Sequence, residues 1–139
     1  MDDLGFGEAV TWQAAEIQKR SGLKIALDLP AAHLVQRDDL ATALFRIVQE
    51  SLTNVVRHAQ ATEVHICLVS DESRLVLTVS DNGQGLAPDL PGGGIGLVSM
   101  RERAMAFGGV FSVRNNTTLG TTVEVALPLS SLEALEEPS

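Results

Sequence analysis

Six of the chain's twelve glycines crowd into residues 83–96, between an apolar strand pattern that ends at Asp81 and a helical pattern that starts near Ile95. Glycine has no side chain to bury and loses the most backbone freedom on ordering, so such a cluster between two regular elements needs a local reason. Close approach of backbone to a ligand supplies one. Phosphate is the usual ligand, because the next helix offers unpaired N–H groups at its start. The feature points to a bound nucleotide and to a fold in which a strand end meets a helix start.

Charge narrows the choice. Ten Lys and Arg stand against eighteen Asp and Glu, a net charge of −8. Sequence-independent nucleic-acid binding needs clustered cations, which excludes nucleic acid as a partner. Any phosphate must be held by local dipoles, a few cations and a metal ion. With 139 residues, 45% hydrophobic and 20% charged, the chain suits one globular domain with a core of its own. The single cysteine, Cys67, sits in an apolar run and reads as a small buried residue in a reducing compartment. No apolar stretch approaches the ~20 residues of a membrane span. Met1-Asp2-Asp3 has no signal-peptide character. The expectation is a cytosolic chain, or a soluble piece of something larger.

Periodicity orders the elements. Residues 8–21 place Val10, Ala14 and Ile17 on one helical stripe, stopped by Gly22. Lys24 to Leu29 alternates as a short strand ended by Pro30. From Asp38 to Ala59, Leu40, Leu44, Ile47, Val48, Ser51, Leu52, Val55 and Val56 form a broad apolar face at helical period. Strands are predicted over 63–69 and 75–80, joined by a tight turn at 70–73. A helix over 95–107 closes at Gly108-Gly109, and a second hairpin over 110–114 and 121–127 turns around Asn115-Asn116. The expected fold is a two-layer α/β sandwich, one mixed and mostly antiparallel sheet with about three helices on one face. Residues 1–129 form the domain, and 130–139 an acidic, frayed tail.

Two sets of polar residues stand out against this frame. On the 38–59 helix, Arg46, Glu50, Asn54 and Arg57 share a stripe opposite the apolar face, with His58 just beyond. A solvated face would explain charges there, but an uncharged Asn adds little to one and is slightly disfavoured inside a helix. On the strand, Leu75, Leu77, Val79 and then Asp81 share one parity, which aims a carboxylate inward at the end of a core row. Thr121 shares the parity of Val123, Val125 and Leu127, so Asp81 and Thr121 can converge on one polar spot. The plainer reading of Asp81-Asn82-Gly83 is a turn former.

Taken together, Glu50-Ser-Leu-Thr-Asn54-Val-Val-Arg57-His58, Asp81-Asn-Gly83-Gln-Gly85, Gly92-Gly-Gly-Ile95-Gly96-Leu97 and Gly120-Thr121 resemble the N, G1 and G2 boxes and the closing motif of the Bergerat ATP-binding fold. That superfamily contains gyrase, chaperone, histidine kinase and mismatch-repair ATPases. The run Arg46 to Ala61, the later Gly-Leu-Val-Ser-Met-Arg-Glu-Arg, Asp3-Leu4-Gly5 and the helix containing Trp12 resemble sensor kinases of the nitrate/nitrite-sensor branch, over residues 3–129.

The resemblance implies roles. Asp81 would accept from the adenine amino group, with Thr121 helping through its hydroxyl or a water. Gly83 and Gly85 would let backbone pass the base. Gly92, Gly94, Ile95, Gly96 and Leu97 would shape a lid and helix start around the phosphates. Asn54 would ligate Mg2+, with Glu50 acting through a water, and Arg57 and His58 would face the phosphates. ATP and Mg2+ are the implied ligands. The partners would be a helical domain carrying the phospho-acceptor histidine and a response regulator with a LuxR-type output domain. That histidine belongs to a His-Asp motif on an upstream hairpin, a context that neither His33, in a loop, nor His65, on a strand's solvent side, has. The chain is therefore expected to be an excised, monomeric catalytic lobe from a parent that could be membrane-anchored. Two alternatives stay open: a serine kinase that inhibits a sigma factor, and a non-catalytic nucleotide-binding module. Absence of G-x-x-x-x-G-K-[ST] excludes a P-loop, and Gly94-x-Gly96 follows a loop rather than a strand, unlike a dinucleotide fold.

Overall fold

The structure, a computed structural model, describes residues 5–83, 97–115 and 120–130, with residues 58 and 59 described by their backbone. Helix α1 (Phe6–Ser21) buries Phe6, Ala9, Val10 and Ala14, a stripe at three- and four-residue steps that fits the helical repeat. It stops where Gly22 turns left-handed and returns its N–H to the Gln18 carbonyl at 3.0 Å. Strand β1 (Lys24–Asp28) and a single 3-10 turn (Ala32–Leu34) lead to α2 (Asp38–Asn54). Asp38 and Asp39 occupy the first turn of α2, where the helix dipole favours negative charge. The helix runs on into a wider π turn, Val55–Ala59. Strands β2 (Glu63–Ser70) and β3 (Arg74–Asp81), helix α3 (Leu97–Met105), and strands β4 (Val110–Asn115) and β5 (Thr121–Pro128) complete the order.

The five strands form one sheet in the order β1-β2-β3-β5-β4. Strand β1 runs parallel to β2, and the remaining pairs are antiparallel. Register carries apolar rows straight across the inner face: Ile66 opposes Val79, Leu68 opposes Leu77, and Leu77 in turn opposes Val125. The helices cover these rows with Phe6 and Val10 from α1, Leu40, Leu44, Ile47 and Leu52 from α2, and Met100 from α3, all buried. Each such side chain contributes about 1.5–3 kcal/mol of transfer free energy. The layers sit so close behind α3 that a Cβ on Gly109 would come within 2.5 Å of Leu127 Cδ2.

The predicted sandwich is the observed one, with differences at particular residues. The helix expected over 38–59 keeps α geometry only to Asn54. A π turn holds more residues per turn, so Val56 swings off the apolar face and is 47% exposed while Val55 stays buried. Cys67 is not the buried residue expected; it is partly exposed. Strand alternation explains this, since Ile66 and Leu68 take the inner face and turn Cys67 to the outer one. Strand β3 runs one residue further at each end than the predicted 75–80 and so takes in Asp81. Among the described residues no helix is long and apolar enough to cross a membrane.

Candidate functional site: the end of the central strand

Burial alternates along β3, with Leu75, Leu77, Val79 and Asp81 all turned toward the helices. The last residue in that apolar row is a carboxylate only 8% exposed. Asp81 Oδ1 accepts the Gly83 N–H at 2.8 Å. Burial raises its pKa above the ordinary value, and the Gly83 and Thr121 N–H groups oppose that rise in part. A buried carboxylate is placed to accept from a donor group. Thr121 stands beside it at the start of β5, 7% exposed.

Strand β5 approaches so closely because of the residue before it. Gly120 has φ +102°, and a Cβ there would collide with the Asp81 carbonyl. Gly120 was not among the predicted site residues, although its place ahead of a strand was legible. The need for glycine there comes from β3 lying next to β5, which local sequence does not reveal.

The helical half of the site lies at the same end of the sheet. Glu50 and Asn54 are one turn apart on α2 and partly buried, and the Asn54 amide oxygen is buried. Arg57 lies exposed in the π turn, and Arg46 points to solvent beside Gln49. Ser51, on the buried side of the helix, donates to Met100 Sδ at 3.4 Å and ties α3 to α2 near Asn54. From Ala59 the chain needs only residues 60–62 to reach β2, whose first residue, Glu63, accepts the Asn82 N–H at 3.2 Å. The C-terminal ends of α2 and β3, the start of β5 and the start of α3 at buried Leu97 thus belong to one polar end. Gly83 is buried there as well. Gly85, Gly92, Gly94, Ile95 and Gly96 lie outside the described residues, and His58 is placed by its backbone only.

The donor set suits a hard cation held jointly with phosphates. Among the described residues no three His, Cys, Asp or Glu side chains gather into a metal cage. Magnesium does not need one: it keeps several waters and takes one or two protein oxygens plus phosphate oxygens. The Asn54 amide oxygen with Glu50 nearby supplies that number.

A mixed sheet under three helices, with a buried acid ending its central strand, defines a two-layer α/β sandwich. A family model described as Histidine kinase-, DNA gyrase B-, and HSP90-like ATPase matches residues 39–131, and the chain belongs to that family. Its relatives are sensor histidine kinases. The signal transduction histidine-protein kinase/phosphatase UhpB of Salmonella typhimurium is 36% identical over 129 residues, covering 92% of this chain and 25% of that protein. The sensor histidine kinase NarS of Mycobacterium tuberculosis is 40% identical over 134 residues, covering 93% of this chain and 31% of that protein. The chain therefore spans less than a third of either relative. The histidine kinase domain of the Erythrobacter litoralis EL346 blue-light activated histidine kinase shares the fold, with TM-score 0.76 at 23% identity, over 95% of this chain and 64% of that one. These relatives fit the nitrate-sensor-like resemblance of the motifs and do not favour the serine-kinase alternative.

Proposed function

We propose that residues 1–129 are the catalytic domain of a two-component sensor histidine kinase, followed by an acidic tail at 130–139. The domain binds ATP with Mg2+ and presents the γ-phosphoryl group to a histidine on a separate helical dimerisation domain. The carrying observation is Asp81, a buried carboxylate at the sheet end that the chain enters three residues after the turn that follows α2. As a carboxylate it accepts from the adenine amino group while Thr121 supports it.

Asn54, with Glu50 through a water, holds the magnesium ion, whose chemistry is to neutralise charge on the phosphate oxygens. Arg57, with His58 beside it, adds a local cation to a chain of net charge −8. Leu97 and the glycines at 83, 85, 92, 94 and 96, with Ile95, shape the backbone around base and phosphates. The partner's imidazole nitrogen attacks the γ-phosphorus, the bond to the β,γ-bridging oxygen breaks, and ADP leaves with that electron pair. Positioning and charge stabilisation carry such a reaction, so the domain needs no nucleophile of its own. Glu50 orients water or polarises the site rather than attacking. The phosphoryl group then passes to an aspartate on a response regulator with a LuxR-type output domain. We place the domain in the cytoplasm, as a monomer, below a parent that can be membrane-anchored.

The test is thermal. Binding to the folded state alone raises the melting temperature, so ATP with Mg2+ should shift it and GTP should not. No shift with ATP refutes the site. Incubated alone with labelled ATP the chain should take up no acid-labile phosphate, and should label an added helical domain from a parent kinase.

A further inference from the structure

Asn82 reads in sequence as the middle of an Asp-Asn-Gly turn, and its residue is exposed. The structure gives its side chain three hydrogen bonds outside that turn. Oδ1 accepts the Thr62 N–H at 2.9 Å and the Glu63 N–H at 3.0 Å, and Nδ2 donates to Thr62 Oγ1 at 2.9 Å. Two backbone N–H groups can be met only by the oxygen, which fixes the orientation of the amide. The Asn82 N–H adds a fourth bond, to the Glu63 carbonyl at 3.2 Å. Thr62 is held on its far side too, because its carbonyl accepts the Lys24 N–H at 3.0 Å. The Thr62 backbone N–H, hydroxyl and carbonyl are all engaged.

What the clip joins gives it meaning. Asn82 itself stands between Asp81 and Gly83, the adenine end of the proposed site. Thr62 follows the π turn Val55–Ala59 after Gln60 and Ala61 alone, with Gln60 left-handed at φ +55°. That turn carries Arg57 and continues the helix of Glu50 and Asn54, the phosphate and metal end. A turn former needs none of these long-range bonds. A residue that fixes the spacing between two halves of one ligand site needs bonds of this kind, because a two-ended ligand rewards only one separation.

We propose that Asn82 is a positioning residue: it clips the adenine-binding end of β3 to the exit of α2, so that both ends of ATP meet their partners at one fixed distance. This rests on the nucleotide reading of the site. Asn82 touches no ligand, and its loss uncouples the two ends without emptying either.

The experiment compares the affinity of each variant for ATP with Mg2+ against its affinity for adenosine, which reaches only the Asp81 end. Asn82→Ala and Asn82→Gly should weaken ATP binding about tenfold, a typical size for a coupling lost between two sites, and leave adenosine binding unchanged. Asn82→Gly keeps full turn freedom, so a turn former would be rescued by it and a clip would not. Asn82→Asp retains the acceptor for the Thr62 and Glu63 N–H groups and should recover most of the ATP affinity. Thr62→Val removes only the Nδ2 partner and should show a smaller loss of the same kind. An unchanged ratio of ATP to adenosine affinity in Asn82→Gly overturns the proposal, as does an equal loss for both ligands. Wild-type protein that binds neither ligand breaks the nucleotide reading instead.

Discussion

Strand β3 ends in the same local motif twice. At its start, Asp71 Oδ1 accepts the N–H of Ser73, two residues on, at 2.8 Å; at its finish, Asp81 Oδ1 accepts the N–H of Gly83, also two residues on, at 2.8 Å. The chemistry is alike and the outcome opposite. Asp71 stands in solvent, where N–H donors from Ser73 and Arg74 hold its pKa below the ordinary value. Asp81 is buried, and the loss of hydration drives its pKa up despite comparable donors. A turn motif therefore says how an aspartate is held; the layer above it says which way its pKa moves.

Substitution separates the two aspartates most sharply. Asp81→Asn keeps an acceptor for Gly83 but removes the charge proposed to meet the adenine amino group. Hydrogen bonds to charged groups carry about 1.5–3 kcal/mol, so calorimetry should read a loss of ATP affinity of about a hundredfold. Asp71→Asn should leave that affinity within about twofold, as surface changes do. Equal losses would erase the distinction. Gly120→Ala attacks the buried end through its backbone, forcing a side chain into left-handed geometry against the Asp81 carbonyl. Strain of that kind costs about 1–3 kcal/mol, to be read by denaturant unfolding, with ATP affinity falling alongside. Asn54→Ala should lower the magnesium dependence of ATP binding about tenfold, in line with effects at metal sites, and leave adenosine binding intact. If adenosine suffers equally, the amide and the acid do not serve opposite ends of one ligand.

Proton linkage gives a smaller and opposite pair of slopes. The folded pKa of Asp81 lies above its ordinary value of 3.8. Its stabilising contribution is complete below that value and is lost as pH rises through the folded pKa; Asp81→Asn should flatten this fall. ATP affinity should change in the other sense, strengthening as Asp81 ionises over the same rise. Asp71 is lowered from 3.8, so its contribution is present above that value and disappears as pH falls through the folded pKa. Melting temperatures across an acid titration of both variants check the signs.

Much of this was legible in the chain, and for physical reasons. The inward aim of Asp81 follows from strand parity with Leu75, Leu77 and Val79, and the burial of Leu40, Leu44, Ile47, Val48, Ser51 and Leu52 follows from helical period. Glu50 and Asn54 could be paired by spacing alone. The π turn was not legible, because Val55 and Val56 continue an apolar pattern that helical period reads as one face. Cys67 misled for a similar reason: an unbroken apolar run hides which residue of an alternating strand faces out. Gly120 and Asn82 fell within the motifs, but their roles escaped because their partners, Asp81 and Thr62, become neighbours only when the strands pair. Local propensity marks them as turn residues, and only the sheet shows what the turns hold.

Strand β3 lies between β2 and β5, so its alignment is dictated from both sides, with Val64 opposite Asp81 on one flank and Ser80 opposite Thr122 on the other. Slippage by a single residue would turn the acid to water and carry Ser80 inward, leaving a sheet that still looks complete by its content of strand. Nucleotide affinity is thus a proofreading signal for this domain: misaligned molecules would pass a test of secondary structure and fail a test of ligand.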